Sequence, residues 1–277
     1  MKPYLYLLSR WRDYYEYIPI EEVLHYGKTR YQEVLIGRNS TYGTFLVLDG
    51  KIQSTEVDEY KYHEAMVYPA LVSHPSPKTI LVVGNGEGTI IKYLLEYPFI
   101  EEIDWVDIDE ELVKICEKHL PYSFKQRDIT KEQVKLNFFA EDGLKFLERT
   151  KKKYDIIYFD LTDPSEENPL ANNLYSTLTA KKVKEKLKDG GIFVSLAYEK
   201  KNGKWQKGSE YLRNIYKIVR YYGVYIPSFG TYTLFVFASD RVDPLKVDPS
   251  AIKKKIKNKN LKFYNEYTHF LMFSLIF

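Results

Sequence analysis

From Thr79 onward the chain repeats one unit, an apolar strand-like run followed by a helix-like run, and this repetition restricts the fold more than any other feature. TILVVG leads into EGTIIKYLLEY, which Pro98 stops. IDWVDID leads into EELVKICEKHL, which Asp109 can cap and Pro121 ends. VKLNFFAED with GLKFLERT, and YDIIYFD with a helix over about 177–187, repeat the pattern. GGIFVSLAY, a helix expected over about 209–222, and the strand TYTLFVFAS complete it. Strands joined through helices run parallel, with right-handed crossovers and both sheet faces covered. The expected architecture is α/β, with a mostly parallel, doubly wound sheet that presents ligands at the carboxyl ends of its strands.

The preceding stretch reads differently. Over residues 15–62, short alternating runs are separated by turn residues: RYQEVLIG, Asn39-Ser40, then GTFLVLDGKIQST with Asp49-Gly50 at a hairpin turn. This is the pattern of a small antiparallel sheet. DEYKYHEAMVYPALVSHP reads as a helix closed by Pro75 and Pro77, and the proline-bearing link HPSPK marks the change of pattern. The expected division is an N-terminal β-strand domain over 1–66 and a strand–helix domain over 67–277.

Composition narrows the function. A chain of 277 residues that is 44% hydrophobic can bury a large core. A net charge of +3 gives no polyanion footprint, so no nucleic acid partner is expected. The runs 151–153 and 253–255, three lysines each, read as solvated surface. A single cysteine, Cys116, excludes an internal disulfide framework and reads as a small core residue. The N-terminus lacks a signal-peptide pattern, and the apolar end HFLMFSLIF is too short to span a bilayer. A cytoplasmic location without a membrane partner is expected, with the last nine residues packed in an interface.

The first strand–helix junction, VVGNGEGTI, poses a chemical problem. Gly84, Gly86 and Gly88 allow a tight turn and a close approach of backbone to ligand. A dinucleotide fingerprint needs a glycine at 89, where Thr89 stands. Pyrophosphate at the following helix would also meet Glu87, a charge of the same sign with no nearby Lys or Arg. Asp107 closes the next strand, where an acid can accept hydrogen bonds from ribose hydroxyls, and Glu141-Asp142-Gly143 closes the third. Each acid alone is also what the positive end of a helix favours. Together, Glu87, Asp107 and Asp142 suit a nucleoside without phosphates and with a positive charge, as S-adenosylmethionine and its relatives have.

The fourth strand ends in YDIIYFDLTDPSEENPLANNLYS. Asp160 and Asp163, three apart, could bind an ammonium or take a proton from one; a turn-capping D-x-x-D-P would look the same. An amine with a pKa near 10 costs about 4–5 kcal/mol to deprotonate at pH 7. Desolvation and a carboxylate acceptor are the means available.

Read together, YQEVLI, LVLDGKIQSTEVDEYKYHE, the glycine loop with its acid, WVDID, EDGLKFL and FDLTDP resemble the polyamine aminopropyltransferases, the spermidine synthase family. The resemblance implies a Rossmann-like (class I methyltransferase-like), mostly parallel seven-stranded sheet with a small N-terminal antiparallel β domain, the active site lying between them. It implies transfer of the aminopropyl group of decarboxylated S-adenosylmethionine, a co-substrate, to an amine, with release of methylthioadenosine. No metal and no prosthetic group are implied; homodimers or homotetramers are. By the same resemblance Glu87 holds the donor's ammonium, in a loop with Gly84 and Gly86. Asp107 binds ribose, Asp142 and Gly143 meet adenine, and Gln32, His63 and Pro169 make further donor contacts. Asp160 is the proton acceptor, Tyr62 and Asp163 fix the acceptor amine, and Gln53 and Phe229 belong to its pocket.

Departures from the family pattern bear on the acceptor. Spermidine synthases usually carry aspartate in the loop and a tyrosine in an IPTYPSG-like stretch; here stand Glu87 and, in YIPSFG, Phe229. These features, with DLTDP and PALVSHPSPK, look more like thermospermine synthases and agmatine or triamine aminopropyltransferases. Loss of a phenol removes one hydrogen bond to a terminal amine, which suggests a longer or differently headed acceptor than putrescine. Asn85 replaces the usual middle glycine, tolerable if its backbone is not left-handed. An S-adenosylmethionine-dependent methyltransferase and a non-catalytic nucleoside- or polyamine-binding relative remain the alternatives.

Overall fold

The computed structural model describes residues 5–11, 14–128, 134–161, 175–201, 204–207 and 209–274. Strands β1 (Leu5–Trp11) and β2 (Tyr14–Ile20) form an antiparallel hairpin. β3 (Glu22–Lys28), β4 (Glu33–Asn39), β5 (Gly43–Leu48) and β6 (Lys51–Thr55) make a four-stranded antiparallel sheet in chain order. At the β5–β6 turn Asp49 and Gly50 both take positive φ, 47° and 73°, as a two-residue hairpin on right-twisted strands requires. Alternate residues of β4 serve two cores. Val34 and Ile36 pack with Leu112, Cys116 and Leu120, whereas Leu35 faces the main core.

Helix α1 (Glu59–Ser73) leads from this sheet into the larger one. There follow β7 (Thr79–Gly84), α2 (Thr89–Leu95), β8 (Glu102–Asp107), α3 (Glu110–His119), β9 (Lys135–Ala140), α4 (Gly143–Arg149) and β10 (Tyr154–Asp160). Next come α5 (Thr177–Lys186), β11 (Leu187–Leu196), the β12–β13 hairpin (Tyr198–Lys201, Lys204–Lys207), β14 (Ile218–Ile226) and β15 (Thr231–Ser239). α6 (Pro249–Lys255) and α7 (Glu266–Ser274) end the described chain. The sheet has seven strands in the order β14-β15-β11-β10-β7-β8-β9; all pairs from β11 to β9 are parallel, and β15 is antiparallel to both its neighbours. Period-two burial splits each strand between two cores, with Val82 and Tyr158 against α1 and α2, and Val83 and Phe159 on the opposite face.

The helix expected over 209–222 does not form. Residues Glu210–Asn214 make a 3-10 turn, and Ile218–Ile226 is strand β14. Leu212, Ile215, Tyr216, Val219 and Tyr222 have helical spacing, which misled the periodicity. The β-branched and aromatic run IVRYYGVYI instead pairs residue by residue with β15, from Ile218↔Ser239 to Ile226↔Thr231.

Two lysines expected in solvated runs are structural. Lys152 Nζ lies 2.9 Å from the wholly buried Asp104, and Lys255 Nζ bonds the Val72 and His74 carbonyls at the C-terminal end of α1. Cys116 is buried, as expected. The buried Glu64 carboxylate accepts the backbone N–H groups of Lys262, Phe263 and Tyr264 at 2.7–2.9 Å, anchoring the C-terminal segment to α1. Residues of the apolar end that lie in α7 pack on the chain's own β14, with Phe273 4.7 Å from the Tyr222 ring. Residues 275–277 lie outside the described chain.

Candidate active site

The parallel strands leave a crevice where their order reverses. β7 is followed by β8 on one side and has β10 on the other, so the β7–β10 boundary is the topological switch point. Register places the candidate residues there: Asp160 at the end of β10 pairs with Gly84 at the end of β7, and Asp107 at the end of β8 pairs with Ala140.

Gly84 has φ +84°, and a Cβ on it would collide with the carbonyl oxygen of Asp160. Its freedom therefore serves the approach of one strand end to another. Gly50 also has positive φ, +73°, but nothing within 4 Å of an added Cβ. Gly50→Ala is expected to cost about 1 kcal/mol. Gly84→Ala should cost roughly 3 kcal/mol or more, backbone strain plus overpacking. Thermal unfolding midpoints of the two variants check the difference; equal losses would mean that the β7–β10 contact is slack.

Tyr62 and His63 project from the first turns of α1, next to each other but in different directions. The Tyr62 hydroxyl donates to Asp160 Oδ1 at 2.5 Å, and its ring packs edge-on against Phe229 and Phe235. His63 is buried. Its Nδ1 meets the Glu59 backbone carbonyl and side chain at 2.9 and 3.1 Å, and its Nε2 lies 2.5 Å from Glu87 Oε1, close but off the hydrogen-bonding direction. Burial pulls the imidazole pKa down, but the Glu87 and Glu59 carboxylates outweigh it and hold it well above the usual 6.5. Glu87 therefore does have a compensating cation, supplied by α1 rather than by a lysine or arginine. Its other oxygen accepts from Ser54 of β6, which in turn is 2.8 Å from Tyr122.

Asp107 is buried, and its carboxylate accepts the Asp109 backbone N–H at 2.8 Å. Burial, with the nearby charges of Asp109 and Asp160, pushes its pKa up to about 7 despite that bond. Asp109 caps α3 through Leu112 N–H, and its second oxygen accepts from Thr29 Oγ1 at 2.6 Å and Gln32 Nε2 at 2.9 Å. Gln32, in the β3–β4 turn, thus reaches the strand ends through Asp109. Asp142 is the N-cap of α4, accepting Lys145 N–H at 3.0 Å, and Gly143 begins that helix. Phe229 ends a 3-10 turn (Pro227–Phe229) that Asp58 holds, accepting from Ser228 N–H at 2.7 Å and its hydroxyl at 2.9 Å. Gln53 donates to the Lys51 carbonyl on its own strand and does not join this cluster. Asp163 and Pro169 lie outside the described residues.

Tyr62, Asp160, Glu87, His63 and Phe229 are thus drawn together, with Asp107 and Gln32 beside them. Ser54, Tyr122, Asp58 and the second role of Asp109 escaped sequence reasoning. Their partners lie far away in the chain, Ser54 being 33 residues from Glu87 and Asp58 170 from Ser228. Chemically, the site offers a carboxylate that can take a proton, a phenol that orients it, and a second, buried carboxylate able to meet a cation.

Residues 59–246 match the spermine/spermidine synthase domain, and residues 14–56 match the spermidine synthase tetramerisation domain. This chain belongs to the spermine/spermidine synthase family. Among its relatives is polyamine aminopropyltransferase 2 of Hyperthermus butylicus, 37% identical over 261 residues, with 92% of this chain and 84% of the relative covered. The polyamine aminopropyltransferase of Sulfurisphaera tokodaii is 34% identical over 270 residues, covering 96% and 89%. Of solved structures, a spermidine synthase in complex with the transition-state analogue AdoDATO superposes with a TM-score of 0.87 at 23% identity, covering 98% of this chain and 92% of that one. Spermidine synthase from Thermotoga maritima gives 0.85 at 23% identity, covering 98% and 91%. The small antiparallel sheet beside the seven-stranded one is thus the family's fold, and the tetramerisation domain marks this member as self-associating. No helix among the described residues is long and apolar enough to cross a membrane.

Proposed function

We propose that this family member moves the aminopropyl group of decarboxylated S-adenosylmethionine to a polyamine or diamine, with Asp160 as proton acceptor. The observation that carries the assignment of roles is the 2.5 Å bond from Tyr62 to Asp160, beside the buried Glu87–His63 pair. In this reading the acceptor ammonium gives a proton to Asp160. The freed amine lone pair then attacks the propyl carbon bonded to sulfur. The carbon–sulfur bond breaks with its electron pair going to sulfur, leaving neutral methylthioadenosine and a protonated secondary amine. Proximity and desolvation supply much of the rate. Glu87 takes the donor's ammonium, Gln32 and Asp107 hold the nucleoside with Asp142 and Gly143 at adenine, and Asp163 and Pro169 complete the site. A methyltransferase would have to seat the methionine carboxylate against Glu87, a repulsion that disfavours that reading.

The Phe229 ring lies edge-on to Tyr62, 6.3 Å between centroids. An apolar ring there in place of a phenol supports an acceptor longer than putrescine, such as spermidine, or a differently headed one such as agmatine. An acceptor panel with the decarboxylated donor, read by product mass, tests both levels. No product with any amine would sink the activity, and a strong preference for putrescine the acceptor reading. Phe229→Tyr should shift the ratio of kcat/KM values towards putrescine by about 3–10-fold. A division at residues 66/67 would cut through the continuous helix α1. We further infer that the boundary lies ahead of that helix, between the matched spans 14–56 and 59–246, with a cytoplasmic setting that keeps Cys116 reduced and assembly as a homodimer or homotetramer. The exposed Tyr17 and Tyr26, 71% and 65% accessible, support assembly through the N-terminal sheet.

A further inference from the structure

We propose that Asn85 is a positioning residue for the transfer, its side-chain amide locking the Asp160 carboxylate between two donors. This inference rests on the reading of Asp160 as the proton acceptor. Asn85 adopts φ +60°, so the condition under which it looked tolerable in place of glycine is not met, and the residue is left-handed. Asparagine is one of the few side chains that this region admits, but glycine occupies it at lower cost. The structure gives the side chain a use that glycine lacks. Asn85 Nδ2 donates to Asp160 Oδ2 at 2.8 Å, while Tyr62 donates to Oδ1 at 2.5 Å. Asn85 N–H also donates to the Asp160 carbonyl at 2.9 Å, and Asn85 Oδ1 accepts Ile90 N–H at 2.9 Å, tying the same side chain to the start of α2. Asn85 itself is only 3% exposed. A carboxylate bonded at one oxygen can swing about its last torsion; bonded at both, it keeps one plane and offers fixed lone pairs to an incoming amine.

The groups facing Asp160 come from three elements: Tyr62 and His63 on α1, Asn85 and Glu87 on the β7–α2 loop, and Asp107 at the end of β8. Burial raises the Asp160 pKa, and the Glu87 charge adds to the rise. The His63 charge and the Tyr62 and Asn85 hydrogen bonds oppose it, and the net is above the ordinary range. Removing the Asn85 donor therefore moves Asp160 further up. Because the base must be ionised to act, the acid limb of the rate profile moves to higher pH.

The test compares wild type, Asn85→Gly and Asn85→Asp in pH profiles of kcat and of kcat/KM, using decarboxylated S-adenosylmethionine and the panel amine that wild type turns over fastest. Glycine fits the left-handed backbone, so Asn85→Gly should fold. It should lose roughly tenfold in kcat, keep its donor KM and its affinity for methylthioadenosine, and show the raised acid limb. Aspartate keeps an oxygen for Ile90 N–H but puts a like charge beside Asp160, so its limb should move further. If Asn85 only caps α2, Asn85→Asp will match wild type and Asn85→Gly will lose stability without a limb shift, and the proposal falls. Should Asp160→Asn stay active, the acceptor reading itself fails; if that variant is dead while Asn85→Gly matches wild type, only the role of Asn85 fails.

Discussion

Asp160→Asn is expected to lower kcat by about 10²–10⁴-fold, the usual contribution of a positioned proton acceptor, and to leave methylthioadenosine binding within about twofold. Asparagine keeps an oxygen for the Tyr62 hydroxyl, so the contact between β10 and α1 survives. Its new amide faces Asn85 Nδ2, donor against donor, a local cost that retained methylthioadenosine binding and the unfolding midpoint separate from loss of the base. What disappears is the ability to take a proton from a substrate ammonium. The deficit should shrink as pH rises and free amine becomes available without help, a trend that a merely structural defect would not produce. Single-turnover rates across pH, with calorimetric titration of methylthioadenosine, make the measurement. A variant with wild-type turnover would remove Asp160 from the mechanism.

Glu87→Gln should weaken decarboxylated S-adenosylmethionine by roughly 10–100-fold, as expected for losing a desolvated charged hydrogen bond, and methylthioadenosine by only a few-fold. The difference arises because only the first ligand carries an ammonium. A second readout comes from His63. Burial works against its protonated form, which Glu87 and Glu59 hold, so removing the Glu87 charge takes away the largest opposing contribution and the imidazole pKa falls, visible by NMR. The linked stability has a definite sign. A histidine raised in the folded state adds stability that is complete below about pH 6.5 and is lost as pH rises through the folded value. Glu87→Gln should flatten this trend. Equal weakening of both ligands would give the carboxylate some other job.

Much of the site could be read from strand ends. A buried parallel strand presents its ligand-facing residues at its carboxyl end, so Glu87, Asp107, Asp142 and Asp160 stood out against apolar runs. Several readings departed from the structure for identifiable reasons. The helix over 209–222 was lost because its apolar residues satisfy both helical spacing and strand pairing, and only β15 decides between them. Asn85 looked like a tolerated departure because sequence does not report the sign of φ; at +60° its side chain is aimed at Asp160. Gln53 stood within a telling motif but turns to its own strand.

By itself the sequence determined the α/β architecture, the small antiparallel sheet before it, the family, and the acids at the strand ends, because these follow from local periodicity and residue type. Tertiary structure alone decided how those acids are partnered. His63 and Ser54 on Glu87, Thr29 and Gln32 on Asp109, Ser228 on Asp58, and Tyr62 with Asn85 on Asp160 are meetings of distant segments. A carboxylate's charge state and direction depend on the few ångströms around it, and no spacing along a chain encodes that distance.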